Sequence, residues 1–223
     1  MAASIAACDG RSSAAHARRL DSAFPILTIR LGVILVKHER RFRGEAERLR
    51  SVERIALLEV DRVVTLSVEG LTAPRVLDVG TGTGVFAEAF AARGLEVVGI
   101  DPNAVFLKEA GRLVPGSEFK QASAEAIPYG DGAFNVVFLG HVLHETDDPA
   151  LALGEARRVS TARVVVLEWP YVREEQGPPL EHRLTQEAIV EMAKRAGLAR
   201  VEMLKLARMD LYRMAVGPAG TST

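Results

Sequence analysis

Between residues 44 and 68, Leu49, Val52, Ile55, Ala56, Val60 and Val63 recur at spacings of three and four. That period predicts one amphipathic helix with a single buried face. Gly70 and Pro74 end it and begin a turn. Beyond them the pattern alternates. The short apolar runs RVLDVG, LEVVGID, AFNVVFLG and ARVVVLEWP predict buried strands, and SEFKQAS predicts a half-buried one. Between them, VFAEAFAARG, NAVFLKEAGRLV, DPALALGEARRVS and TQEAIVEMAKRAGL carry helical spacing. Asp148 and Thr185 stand at N-cap positions, Pro149 opens a helix, and Gly94 and Gly197 follow helix ends. RVEMLKLA and LYRMAVG alternate on either side of RMD and read as a hairpin.

Strands alternating with helices imply an α/β fold: a doubly wound, mostly parallel sheet with helices on both faces. The terminal hairpin adds one antiparallel edge strand. The regular pattern marks residues 44–217 as the domain, with an extension at 1–43 and a tail at 218–223. The start, MAASIAACDGRSSAAHARR, is rich in Ala, Ser and Arg and poor in acids, the composition of an organellar transit peptide. The alternatives are a weakly ordered extension, a start set too far upstream, or AFPILTIRLGVILV packing as an extra helix or strand.

Composition removes several classes. Net charge is −1 and 48% of residues are hydrophobic, which favours neither nucleic acid nor a membrane surface as partner. Charge is uneven, with ten Lys/Arg against five Asp/Glu in residues 1–50. No apolar run reaches the roughly 18 residues of a membrane span. Cys8 is the only cysteine, so neither an internal disulfide nor a cysteine metal cage can form, and a reducing, cytoplasmic setting is expected. Nothing in the pattern sets an oligomeric state.

The chemistry concentrates at GTGTG, residues 80–84, directly after the first strand. In a doubly wound sheet that turn borders the ligand crevice. Read from Gly82, GTGVFA fits the dinucleotide pattern G-x-G-x-x-A, and Asp101 follows at about the distance of a ribose-binding acid. Asp78 argues the other way. A pyrophosphate on the turn would meet that carboxylate at a cost of roughly 2 to 3 kcal/mol at some 6 Å. A guest with positive centres suits it, although Asp78 can also bond within its own turn.

VLDVGTGTG, VVGIDPN and QASAEAIPYGDGAFNVVFLGHVLHE occur in that order. Together they resemble the class I S-adenosylmethionine-dependent methyltransferases, specifically the small type-11 branch. The resemblance runs over residues 45–217. It implies a seven-stranded sheet, S-adenosyl-L-methionine as cofactor and a small-molecule methyl acceptor. It places Asp78, Gly80, Thr81, Gly82 and Gly84 at the methionine end and Asp101 on the ribose hydroxyls. Pro102 and Asn103 would flank the adenine. Ser123, Ala124 and Glu125 stand where the branch often has Asp-Ala-Glu, whose first acid accepts from the adenine amino group. Ser123 accepts more weakly, which brings Glu125 into view.

LGHVLHE, residues 139–145, closes the fourth strand and supplies Gly140 with the candidate catalytic residues His141 and His144. Histidine titrates near neutrality and can act as a base, although methyl transfer depends first on alignment. Packing or capping is the competing role for both. The zinc-protease pattern needs His-Glu-x-x-His on a helix, so this His-x-x-His-Glu order fits a metal poorly, and no metal is expected. Trp169 and Tyr171 begin a loop to Leu184 that would roof the site or cover the sheet. Arg183 in that loop would bind an anion or tie the loop by a salt bridge. Two other readings stay open: a nucleotide-binding oxidoreductase using Gly82, Gly84 and Ala87, and a cofactor-binding relative without turnover.

Overall fold

Seven strands form one sheet: β1 (Val76–Val79), β2 (Val97–Asp101), β3 (Glu118–Gln121), β4 (Phe134–Gly140), β5 (Ser160–Glu168), β6 (Leu198–Lys205) and β7 (Asp210–Val216). Their order is β3-β2-β1-β4-β5-β7-β6. The computed structural model describes residues 46–217, so the readings of residues 1–43 and 218–223 lie outside the described residues. β1 to β5 pair with one another in parallel, while β7 is antiparallel to both β5 and β6. The antiparallel strand is therefore interior, and β6 takes the edge expected for it. Burial explains the order, because Leu211, Tyr212 and Met214 of β7 are buried whereas β6 is largely exposed or half-buried. β3, at the other edge, is more exposed than its sequence suggests, with only Phe119 half-buried.

Side-chain alternation splits the core across the two faces of the sheet. Leu77, Val79, Val137, Leu139, Val164 and Val166 pack with Ala152, Leu153 and Ala156 of α6 (Pro149–Val159) and with Ile189 of α7 (Gln186–Arg195). On the opposite face, Val76, Val136, Phe138, Val165 and Leu167 meet α3 (Val60–Val68) and α4 (Val85–Ala91) through Val63, Val64, Phe86 and Phe90. α5 (Ala104–Leu113) packs on β2 and β3. The caps read from sequence form: Asp148 accepts from Ala150 N and Leu151 N, and Thr185 from Ala188 N. No helix among the described residues is long and apolar enough to cross a membrane.

The single N-terminal helix does not form. Three short helices replace it: α1 (Ala46–Leu49), α2 (Val52–Leu58) and α3. Ser51 caps α2, its hydroxyl accepting from Arg54 N at 3.2 Å. Glu59 adopts a left-handed φ of 46° and separates α2 from α3. Each break resets the helical phase. Val52 is consequently 80% exposed and Ile55 39%, while Leu58, Val63 and Val64 take the buried positions. The break also turns α1 and α2 toward the carboxyl ends of the strands, where they help to wall a cavity.

Candidate active site

β1 has β2 on one side and β4 on the other, so the chain reverses its direction of winding there and opens a crevice above the strand ends. A cavity of about 1520 Å³ occupies it. Its floor is the glycine turn. Gly80 and Gly82 have φ of 66° and 54°, a region that side chains with a Cβ avoid. A Cβ at Gly80 would collide with Val142 Cγ2, and one at Gly82 would lie 3.2 Å from Leu49 Cδ1. The turn is bare because its neighbours leave no room for anything larger.

Asp78 is behind this turn, not in front of it. It is 2% exposed, is absent from the cavity wall, and accepts the Thr81 hydroxyl at 2.6 Å and the backbone N–H of Ala87. Asp78 thus takes the alternative left open by the sequence, bonding within and just beyond its own turn. The turn folds back over the end of β1 and takes up the carboxylate itself. Burial pushes that carboxyl up to about 7, and the charge of Asp101 adds to the shift.

Asp101 does face the cavity. Its Oδ2 accepts from Gly82 N at 2.9 Å and its Oδ1 from Asn103 N at 2.8 Å, so it joins β2 to the turn. Thr81, Pro102, Asn103, Ser123, Ala124 and Gly140 line the same cavity. Asn103 spends its side-chain oxygen on capping α5, accepting from Val105 N and Phe106 N. A Cβ at Gly140 would stand 2.8 Å from Phe138 Cε1, which accounts for glycine there.

Two expected residues fall elsewhere. Gly84 caps α4 against Ala110 and Val114 and is outside the cavity wall. Glu125 also lies off it, because its Oε1 accepts from Asp147 N at 2.9 Å and ties two loops together. Sequence spacing could not distinguish an acid serving a ligand from one serving a neighbouring loop.

The two histidines share the cavity wall but differ in state. His141 has a left-handed φ of 61°, is 7% exposed, and neither ring nitrogen has a hydrogen-bond partner. Burial, then the Arg54 guanidinium and His144, hold it well below the ordinary histidine value. It is a neutral ring carrying one unused donor and one unused acceptor. His144 is 6% exposed and its Nδ1 lies 2.7 Å from Glu168 Oε2. Burial opposes its protonation, but the charge and hydrogen bond of Glu168, with help from Glu145, raise its pKa overall.

Glu168 escaped the sequence reading. It ends the run VVVLE at the carboxyl end of β5 and is 2% exposed. An acid closing an otherwise apolar parallel strand was the available signal. Arg54 was missed for another reason. The uninterrupted helix placed it on a solvent face, whereas α2 brings it into the cavity wall, where burial lowers its pKa against the pull of Glu145.

The aromatic loop acts as cover. The ring of Trp169 lies 5.3 Å from the Arg183 guanidinium, and Gly177 packs so closely that a Cβ there would stand 2.7 Å from the indole. Tyr171 is 49% exposed and off the cavity wall. Arg183 is the tie, but not chiefly by a salt bridge. It donates to the carbonyls of Pro170, Val172, Gln176 and Pro178, with Glu174 no nearer than 3.9 Å. Among the described residues, no group of three His, Cys, Asp or Glu could hold a metal ion.

Comparison with known proteins agrees with this geometry. Residues 77–165 match the family described as a methyltransferase domain. A demethylmenaquinone methyltransferase of Renibacterium salmoninarum is 35% identical over 112 residues, 49% of this chain and 47% of that protein. Its namesake from Thermus thermophilus is 40% identical over 118 residues, 49% of this chain and 53% of that protein. The chain thus spans about half the length of these curated relatives. Among solved structures, a SAM-dependent methyltransferase from Aquifex aeolicus superposes with a TM-score of 0.69 at 20% identity, covering 78% of this chain and all of that one. The magnesium protoporphyrin IX methyltransferase of Synechocystis, solved with bound SAH, gives 0.60 at 13% identity, covering 85% and 95%. At these identities the two structures speak to the fold.

Proposed function

From the premise that this chain carries a class I S-adenosylmethionine-dependent methyltransferase domain of the type-11 branch, we propose that it transfers the cofactor's methyl group to a small organic acceptor. The observation that carries the proposal is the pair of acids gripping one bare turn, with Asp101 on the cavity wall and Asp78 beneath it. Each acid raises the cost of a second negative charge nearby, so the turn favours a sulfonium and an ammonium over a diphosphate. The cofactor supplies an electrophilic methyl on a positively charged sulfur. The chain supplies its seat.

In this reading the methionine end lies along Gly80, Thr81 and Gly82, which line the cavity and whose glycines allow close approach. Gly84 serves the same end indirectly, by capping α4. Asp101 accepts the ribose hydroxyls. Pro102, Ser123 and Ala124 border the base, and Asn103 fixes the helix beside it. Gly140 and His141 flank the path to the acceptor, and the functional domain occupies residues 44–217. Since several relatives are named demethylmenaquinone methyltransferase, demethylmenaquinone is the first acceptor to assay.

Two measurements test the proposal. Titration calorimetry with S-adenosylhomocysteine should give saturable one-to-one binding, and binding of NAD in its place would reject the cofactor. Transfer of a radiolabelled methyl group into demethylmenaquinone, or into the small-molecule fraction of a cell extract, should then follow. Binding without transfer would leave a cofactor-binding protein without turnover.

A further inference from the structure

Glu168 and His144 form a buried acid–imidazole pair, and His144 of this pair lines the cavity. The pair comes from two elements, with Glu168 at the end of β5 and His144 on a single helical turn, Leu143–Glu145, after β4. Both contacts between them use the carboxylate. Oε2 stands 2.7 Å from His144 Nδ1, and Oε1 accepts from His144 N at 3.3 Å. A carboxylate only accepts, so in the neutral ring the proton belongs on Nδ1 and the lone pair on Nε2. Nε2 is on the side of Glu145, 3.7 Å from Oε1, and both residues line the cavity. Arg54 lines it as well, a cation placed to attract an anion formed there.

We propose that His144 takes a proton from a hydroxyl of the methyl acceptor, with Glu168 as the positioning residue that holds its tautomer, and that the acceptor is therefore an alcohol, phenol or enol. This rests on the methyl-transfer reading. The hydroxyl O–H bond breaks and its proton passes to Nε2. The acceptor's electron pair, on oxygen or on the conjugated carbon of an enol or phenol, forms the bond to the methyl carbon. The methyl–sulfur bond breaks with its pair left on sulfur, giving S-adenosylhomocysteine, and the proton leaves His144 for water. An aromatic amine, already neutral with its lone pair available, would need no such base before attack.

The charged groups around His144 support this assignment. Glu168 and Glu145 favour its protonated form, whereas Arg54 opposes it and His141 stays neutral. Behind Glu168, Asp210 is its register partner on β7, and the charge of Glu168 also reaches Tyr212 on that strand.

The test measures methyl transfer from radiolabelled S-adenosylmethionine into the small-molecule fraction of a cell extract, across pH, with product analysis by mass spectrometry. Wild type should show a rate rising through one acid limb and a product methylated on oxygen or on carbon. His144→Gln should lower kcat about a hundredfold or more. Glu168→Gln should move the acid limb to lower pH and reduce the plateau, since the imidazole loses the anion that favours its charged form. A purely structural Glu168 would leave the position of that limb unchanged. S-adenosylhomocysteine affinity, measured on each variant, should stay within a few-fold of wild type and certifies the fold. Transfer that persists in His144→Gln, a limb unmoved in Glu168→Gln, or a product methylated on nitrogen overturns the inference and leaves methyl transfer standing. Loss of cofactor binding in the wild type, or binding with no transfer, overturns both.

Discussion

Asp78 and Asp101 hold one turn from opposite sides. Asp78 takes the Thr81 hydroxyl at 2.6 Å, and Asp101 takes the Gly82 amide at 2.9 Å. Thr81 and Gly82 are adjacent residues, so the two carboxylates are bridged by a short stretch of backbone, and their charges push against each other. The turn is therefore fixed from both sides by acids. The strain sits in Asp78, whose carboxyl is pushed up to about 7.

Asp78→Asn should stabilise the cofactor-free protein at pH 8 by roughly 2–4 kcal/mol, because it removes a buried charge while its amide oxygen still accepts from Thr81. The sign follows from linkage. A carboxyl that titrates higher in the folded than in the unfolded protein makes the fold lose stability as pH rises between the two values. The wild type should thus lose stability between about pH 4 and 7, and the variant should lack that part of the slope. Denaturant melts across this range check it. The same variant should bind S-adenosylmethionine more weakly.

Asp101→Ala should cost about 1.5 to 3 kcal/mol of S-adenosylhomocysteine affinity, the scale of hydrogen bonds to a charged acceptor. It should also lower thermal stability, since the Gly82 and Asn103 amides lose their acceptor. Calorimetry together with a melting curve separates the two effects. Unchanged affinity would move the ribose away from β2.

The His144–Glu168 contact has its own stability signature. Because the folded pKa of His144 is raised, its contribution is full below the ordinary histidine value and is lost as pH rises through the folded one. Glu168→Gln should weaken this dependence and destabilise the protein by about 2–4 kcal/mol on the acid side, where the charged imidazole would keep only Glu145, at 3.7 Å. Proton resonances of the imidazole, followed with pH, report the titration directly.

Gly80→Ala should destabilise by roughly 2–4 kcal/mol, combining a left-handed φ with a collision against Val142. S-adenosylhomocysteine affinity should fall as well, because relief requires movement of the turn or of Val142, and both line the cavity. A well-folded variant of unchanged affinity would show the turn to be softer than its packing implies.

Arg183→Ala should release the segment between Pro170 and Arg183. Its guanidinium donates to four carbonyls there and covers Trp169. Loss of roughly 2–4 kcal/mol and earlier proteolytic cleavage within this segment are expected. Limited proteolysis followed by mass spectrometry locates the cuts.

Local chemistry was enough to define most of the elements. Continuous apolar runs could only be strands buried on both faces, as Val76–Val79 and Val164–Leu167 are. Asp148 and Thr185 capped the helices where a side-chain oxygen stood before an apolar period. The glycine turn was legible because its left-handed φ values and close packing restrict the residue type, and Asp101 because the apolar run of β2 ends on it. Periodicity failed at Glu59, where one left-handed residue reset the helix phase and carried Arg54 into the cavity.

What the chain determined by itself is the order of strands and helices and the place of the ligand crevice, since both depend on neighbours in sequence. Tertiary structure alone decided what each acid faces. Asp78 turned to the Thr81 hydroxyl, Glu125 to Asp147, and Glu168 to a histidine 24 positions away. A carboxylate accepts from whichever donor is nearest once the chain has folded, and that distance is not written in residue spacing.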